Sequence, residues 1–129
     1  MNVVDSSAWL EFFADGPNAG EFAAAIRDAD SLIVPTITLF EVFKRIRVQR
    51  DADLALEAIA FMQRGRAIDL DGDLAIEAAD LSVDLKLPLA DSVILATARR
   101  HEATLWTQDS DFNGIPGVEY RRPRSRKRS

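Results

Sequence analysis

The sequence predicts an α/β fold with a mostly parallel central sheet covered by helices on both faces. Three observations predict it. Short β-branched runs alternate along the chain with longer stretches whose apolar residues recur every three to four positions, and strands alternating with helices build parallel sheets. The runs Asn2-Val3-Val4 and Ser31-Leu32-Ile33-Val34 are almost continuously apolar, as strands buried on both faces are. With 129 residues, 47% of them hydrophobic, the chain suits one domain that buries about two thirds of its unfolded surface.

Each element follows in order. Asn2-Val3-Val4 is the first strand. Asp5, Ser6 and Ser7 can cap a helix from Ala8 to Phe13, which Asp15-Gly16-Pro17 ends. Glu21 to Asp28 is a second helical stretch, and Ser31 to Val34 a strand closed by Pro35. Thr36 or Thr38 caps a helix to about Gln49, with Leu39, Val42, Phe43 and Ile46 as its core stripe. Leu54 to Met62 is helical and ends near Gly65; Arg66 to Leu70 is a short strand. Asp73 to Leu85 is a helix with Ile76, Ala79, Leu81 and Val83 mostly inward, and Pro88 breaks it. Leu89 to His101 is the next helix, and Ala103 to Thr107 a strand. Gly114 to Gly117 is a turn before the edge strand Val118-Glu119-Tyr120.

The composition excludes several classes. There is no cysteine, so disulfides, thiolate zinc sites and cysteine nucleophiles are ruled out. No basic segment precedes an apolar N-terminal run, and no stretch approaches membrane-spanning length, so a soluble cytoplasmic protein without membrane contact is expected. The net charge is −5, from 16 basic and 21 acidic residues. Six of the basic residues lie in Arg121 to Ser129, which leaves 10 basic against 21 acidic groups, or −11, over residues 1–120. A uniformly basic nucleic-acid footprint is therefore missing. The expected organisation is one domain, 1–120, followed by a basic disordered tail, 121–129, which could serve as an RNA-attracting arm.

Four carboxylates carry the functional reading. Asp5, Glu41, Asp91 and Asp109 lie in four separate segments, each where a strand-like run gives way to a turn or helix. Apolar residues crowd all four, although carboxylates resist burial without compensation. Brought together they would form an anionic pocket that cations neutralise, and all-oxygen sites suit Mg²⁺ or Mn²⁺. Metal-assisted phosphodiester chemistry follows. Taken singly, Asp5, Asp91 or Asp109 reads most simply as a helix N-cap, and Glu41 as a solvated side chain. Asp91, however, heads the apolar stripe Ile94-Leu95-Ala98 and so points along its helix's buried side.

Four pieces resemble one family in order and spacing: Val3-Val4-Asp5-Ser6-Ser7-Ala8-Trp9-Leu10; Thr36 to Val42, ending in Glu41-Val42; Leu89-Ala90-Asp91-Ser92-Val93 through Ala98; and Leu105-Trp106-Thr107-Gln108-Asp109-Ser110-Asp111-Phe112. They resemble the PIN domain, above all the VapC-type toxins of bacterial toxin–antitoxin modules. The resemblance implies a Rossmann-like three-layer α/β/α sandwich and an endoribonuclease that uses Mg²⁺ or Mn²⁺. It implies Asp5, Glu41, Asp91 and Asp109 as metal ligands. Thr107 falls on an accessory hydroxyl position, Ser7 on a small polar one, and Asp111 on a recurrent acid near the last motif. It also implies an RNA substrate, a cognate antitoxin and a toxin homodimer. An apolar groove among Trp9, Phe12, Phe13, Phe40 and Phe43 would take an amphipathic antitoxin segment.

Other readings fit less well. Asp69-Leu70-Asp71-Gly72-Asp73 resembles a phosphatase nucleophile loop but lies mid-chain, and a solvated turn capping the next helix explains it. A receiver-like binding module would need an acidic pair after the first strand, where Asp5-Ser6-Ser7 stands. A non-catalytic PIN-like protein-binding module is the remaining alternative. His101 ends a helix, where it serves the last carbonyls.

Overall fold

The computed structural model describes residues 1–125. Residues 126–129, part of the tail expected to be disordered, lie outside the described residues. Among the described residues five strands form one sheet in the order β3-β2-β1-β4-β5. They are β1 (Asn2–Val4), β2 (Leu32–Pro35), β3 (Arg66–Ile68), β4 (Thr104–Thr107) and β5 (Val118–Tyr120), and every pairing is parallel. Among the described residues the six α-helices are α1 (Ser6–Phe13), α2 (Ala19–Arg27), α3 (Thr36–Gln49), α4 (Ala52–Met62), α5 (Gly72–Leu85) and α6 (Leu89–Arg100).

Strand alternation divides the apolar residues between two cores, because successive side chains leave opposite faces of a sheet. Val4, Leu32 and Val34 pack with Trp9, Phe22, Ile26, Val42 and Met62 on the face of α1 to α4. Val3, Ile33 and Leu105 pack with Ile94, Leu95, Ala98 and Phe112 on the face of α6. The result is a three-layer α/β/α sandwich. Each such side chain contributes about 1.5–3 kcal/mol on burial. Trp9 is wholly enclosed and stacks on Phe13 at 5.6 Å, with Phe61 edge-on at 6.3 Å. Its indole N–H has no hydrogen-bond partner among the described residues.

Three local expectations need correction. On α5 the inward residues are Leu74 and Ala78, with Leu81 partly buried. Ile76 and Val83 are 68% and 77% exposed, and Ala79 is exposed as well. The helix turns its 74/78/81 edge to α6, so apolar content misjudged the face where spacing would have found it. At the start of α3, Pro35 occupies the cap position, and Thr38 donates to Pro35 O at 2.7 Å instead of capping. α1 begins at Ser6, and Asp5 sits at its N-cap without spending its carboxylate on the helix.

Other expectations stand in the geometry. Asp71 caps α5, accepting from Leu74 N at 2.8 Å. His101 Nδ1 lies 2.9 Å from the Thr97 carbonyl oxygen. Among the described residues no helix is long and apolar enough to cross a membrane.

Candidate metal centre

The strand order places a topological switch point between β1 and β4. From β1 the chain moves outward to β2 and β3, then returns to the other side of β1 as β4. Crossovers leave in opposite directions there and open a crevice at the carboxyl ends of the strands. Asp5 follows β1 directly, Asp109 follows β4 after one residue, and Asp91 lies in the first turn of α6. Glu41 reaches the same crevice from α3; a cleft of about 1310 Å³ is lined by Asp5, Glu41, Asp91 and Asp109 among others.

Asp5 is 3% exposed. Its Oδ2 accepts from Ser7 Oγ at 2.7 Å and from Thr107 Oγ1 at 2.8 Å. The two hydroxyl oxygens lie 3.3 Å apart. Thr107 Oγ1 also accepts from Asp109 N at 2.9 Å, and Ser7 Oγ from Gln108 N at 3.2 Å. The hydroxyls thus join the end of β1 to the loop after β4. Burial raises the Asp5 pKa above its ordinary value; bonds from Ser7 and Thr107 pull it down, and the charge of Asp109 pushes it up.

Asp91 stands in a denser field. Its pKa is pushed up to about 7, by burial first and then by the charges of Asp5, Asp109, Asp111 and Glu41. Asp91, Asp109 and Asp111 each present an oxygen, and these atoms lie within 4.8 Å of one another. Asp111 is therefore drawn closer to the centre than its weak motif signal suggested. Asp109 Oδ1 also accepts from Asp111 N at 2.9 Å. Glu41 is held separately: Ser6 Oγ donates to its Oε1 at 2.6 Å. Ser6 was missed at the sequence level because its neighbour Ser7 occupies the motif position, and its partner is 35 residues away.

The donor set fits a hard divalent cation. It is all oxygen, anionic and gathered from four segments. Among the described residues, ion pairs join Arg100 to Asp71 and Glu77, and Arg121 to Glu21 and Glu119; none reaches the acids of the cleft. Away from them the cleft continues over Phe12, Phe13, Phe40 and Phe61, past Lys44 and Arg45. A second, apolar groove of about 510 Å³ lies between α3 and α4, lined by Leu39, Phe40, Phe43, Leu56 and Ile59 among others.

A parallel sheet with acids converging at its switch point defines the class, and the sequence comparison agrees. Residues 3–118 match the PIN domain, and the chain belongs to that family. Its structure also resembles VapC-type toxins. It superposes on a toxin–antitoxin complex from Klebsiella pneumoniae with a TM-score of 0.76 and 27% identity, covering 92% of this chain and 96% of that one. VapC20 of Mycobacterium tuberculosis, a toxin that cleaves the sarcin–ricin loop, matches with a TM-score of 0.75 and 17% identity over 90% of this chain and 95% of that one. A DNA-bound VapBC from Salmonella typhimurium matches with a TM-score of 0.69 and 18% identity over 95% and 98%. No curated protein sequence is a significant match.

Proposed function

We propose that the protein is a metal-dependent endoribonuclease, the toxin of a bacterial type II toxin–antitoxin module acting in the cytoplasm. One observation supports this most: Asp5, Glu41, Asp91 and Asp109, from four segments, line one cleft at the switch point of a PIN fold. These four would hold Mg²⁺ or Mn²⁺, with Asp111 beside Asp91 and Asp109. When bound, such an ion lowers the pKa of a water and offsets charge on phosphoryl oxygens. The chain's own residues do the rest. Ser7 and Thr107 orient Asp5, Ser6 orients Glu41, and Asp109 fixes its own loop through the Asp111 N–H. Burial first, and then the charges of Asp5, Asp109, Asp111 and Glu41, raise the Asp91 pKa to about 7, and a bound cation would offset those charges.

The Klebsiella relative is a toxin–antitoxin complex, which supports a cognate antitoxin here. An amphipathic antitoxin segment would lie along the aromatic part of the cleft, and an antitoxin arginine could enter among the acids. A homodimer is the expected assembly.

The decisive experiment incubates purified protein with structured RNA and Mn²⁺. Cleavage that stops with EDTA and is lost in Asp5→Asn supports the assignment. Equal cleavage in EDTA would overturn it. Co-purification with the product of an adjacent gene, and light scattering, test the antitoxin and the dimer.

A further inference from the structure

The second half of α3 concentrates positive charge beside the acids. Residues 1–120 hold 10 basic groups, and four of them, Lys44, Arg45, Arg47 and Arg50, fall within 44–50, where no acid intervenes. All four are exposed, and among the described residues none is in an ion pair. Lys44 and Arg45 follow Glu41 by three and four positions on α3. They therefore share its face of the helix, about 5–6 Å further along the axis. Both line the same cleft as the four candidate ligands, as does Arg50. Arg47 lines the apolar groove instead, at the end of the helix where the dipole favours a cation.

Phe40 adds a flat apolar surface to that wall. It directly precedes Glu41, lines the cleft and is 64% exposed. Phe12, Phe13 and Phe61 pack their rings on one another, whereas among the described residues Phe40 pairs with no aromatic ring. The Lys44 ammonium stands 5.8 Å from the centre of the Phe40 ring. An exposed ring in a row of unpaired cations has the chemistry of a single-stranded nucleic-acid site, where bases stack on rings and cations follow the backbone. The charge balance explains the concentration. A phosphate chain approaching a body that carries −11 over residues 1–120 needs a local positive path, because contacts from Lys and Arg to phosphates dominate affinity. The cations alone would match an acidic peptide; the ring beside them favours bases.

We infer that the second half of α3 is the wall of the cleft that holds single-stranded RNA, with Phe40 stacking one base and Lys44, Arg45 and Arg50 neutralising the phosphates that lead to the acids. The inference rests on the ribonuclease reading and deepens it by naming the strandedness of the substrate and the surface that grips it. Binding of a labelled single-stranded RNA of about 20 nucleotides to the full chain is followed by anisotropy in EDTA, from about 50 to 200 mM salt. In K44Q/R45Q/R50Q the slope of log affinity against log salt should shrink by about 0.7 for each phosphate no longer neutralised, and affinity should fall by about tenfold or more. The variant R66Q/K86N/R99Q removes as much charge from exposed positions outside the cleft lining and should bind nearly as the wild type does. Phe40→Ala should bind about fivefold to 150-fold more weakly with the salt slope unchanged, since it removes a stacking surface and no charge, and Phe40→Trp should restore the affinity. Wild-type cleavage with Mn²⁺, scored separately, keeps the two readings apart. Unchanged affinity and slope in K44Q/R45Q/R50Q, with wild-type cleavage intact, overturns the wall and leaves the nuclease standing. An equal loss in R66Q/K86N/R99Q overturns it too, because any cation would then serve. So does a K44Q/R45Q/R50Q protein that keeps its RNA affinity but no longer co-purifies with the product of the adjacent gene, which assigns these cations to a protein partner.

Discussion

Thr107 Oγ1 donates to Asp5 Oδ2 at 2.8 Å across 102 positions of sequence, and the same oxygen accepts from the Asp109 N–H at 2.9 Å. One buried hydroxyl therefore fixes the acid after β1 and the loop that carries the acid after β4.

Thr107→Val keeps the shape and removes both bonds. We expect metal affinity to fall by about 10–100-fold, as when a partner that orients a ligand is removed. The Asp109 N–H left unpaired, with Asp5 keeping only its bond from Ser7, should cost about 1–3 kcal/mol. Thr107→Ser should restore most of both. Mn²⁺ titration calorimetry and thermal melts read these effects; wild-type affinity in the valine variant would show that the hydroxyl does not support the centre.

Asp91 sets a pH dependence with a definite sign. Its folded pKa, about 7, exceeds its ordinary 3.8. The stability it contributes is fully present below about 4 and is lost as pH rises to about 7. Solvent at this half-buried site discounts the loss to about 1–2 kcal/mol. In EDTA, Asp91→Asn should lack this decline and be at least as stable as the wild type at pH 8; with Mn²⁺ it should cut no RNA. Parallel stability curves, or an active variant, would show that Asp91 is an ordinary first-turn acid.

Added cation should reverse that penalty. Mn²⁺ at a hundredfold excess over its dissociation constant should stabilise the wild type by about 2.7 kcal/mol. Asp111 offers an oxygen within 4.8 Å of those of Asp91 and Asp109, so Asp111→Asn should weaken binding. A tenfold loss of affinity would remove about 1.3 kcal/mol of the shift. An identical Mn²⁺ shift in the variant would exclude Asp111 from the centre.

The two faces of α5 should respond unequally. Leu74 is 1% exposed, and Leu74→Ala should cost about 2–5 kcal/mol. Ile76→Ser and Val83→Ser, on the open face, should each stay within about 0.5 kcal/mol. Urea melts at low protein concentration test this, and a large loss at Val83 would contradict the packing of α5.

Strands and rim were legible because they depend on local pattern. Val3-Val4 and Leu32-Ile33-Val34 announce buried strands, and parallel connection then puts Asp5 and Asp109 at one edge. What local pattern could not carry was convergence. That Asp111 joins Asp91, that Ser6 rather than Ser7 holds Glu41, and that Asn18 meets Gln108 and Arg122 all depend on contacts between distant segments. Asn18 in particular follows a Gly-Pro turn, and its side-chain partners Gln108, Arg122 and Arg124 lie 90, 104 and 106 positions away. The α5 face was misread because its exposed side is also apolar.

The two tryptophans offer a built-in optical readout. Trp9 is sealed among aromatic rings with its N–H unbonded, so its emission should lie to the blue and ignore events at the surface. Trp106 donates to Asn2 Oδ1 at 2.9 Å and carries the Arg121 guanidinium 5.4 Å from its ring centre. Its quantum yield should change if the Arg121 guanidinium is removed, as in Arg121→Ala, while the Trp9 signal stays constant as an internal reference. The seating of Arg121 against β4 can thus be followed in real time by the protein's own ultraviolet fluorescence, without a label.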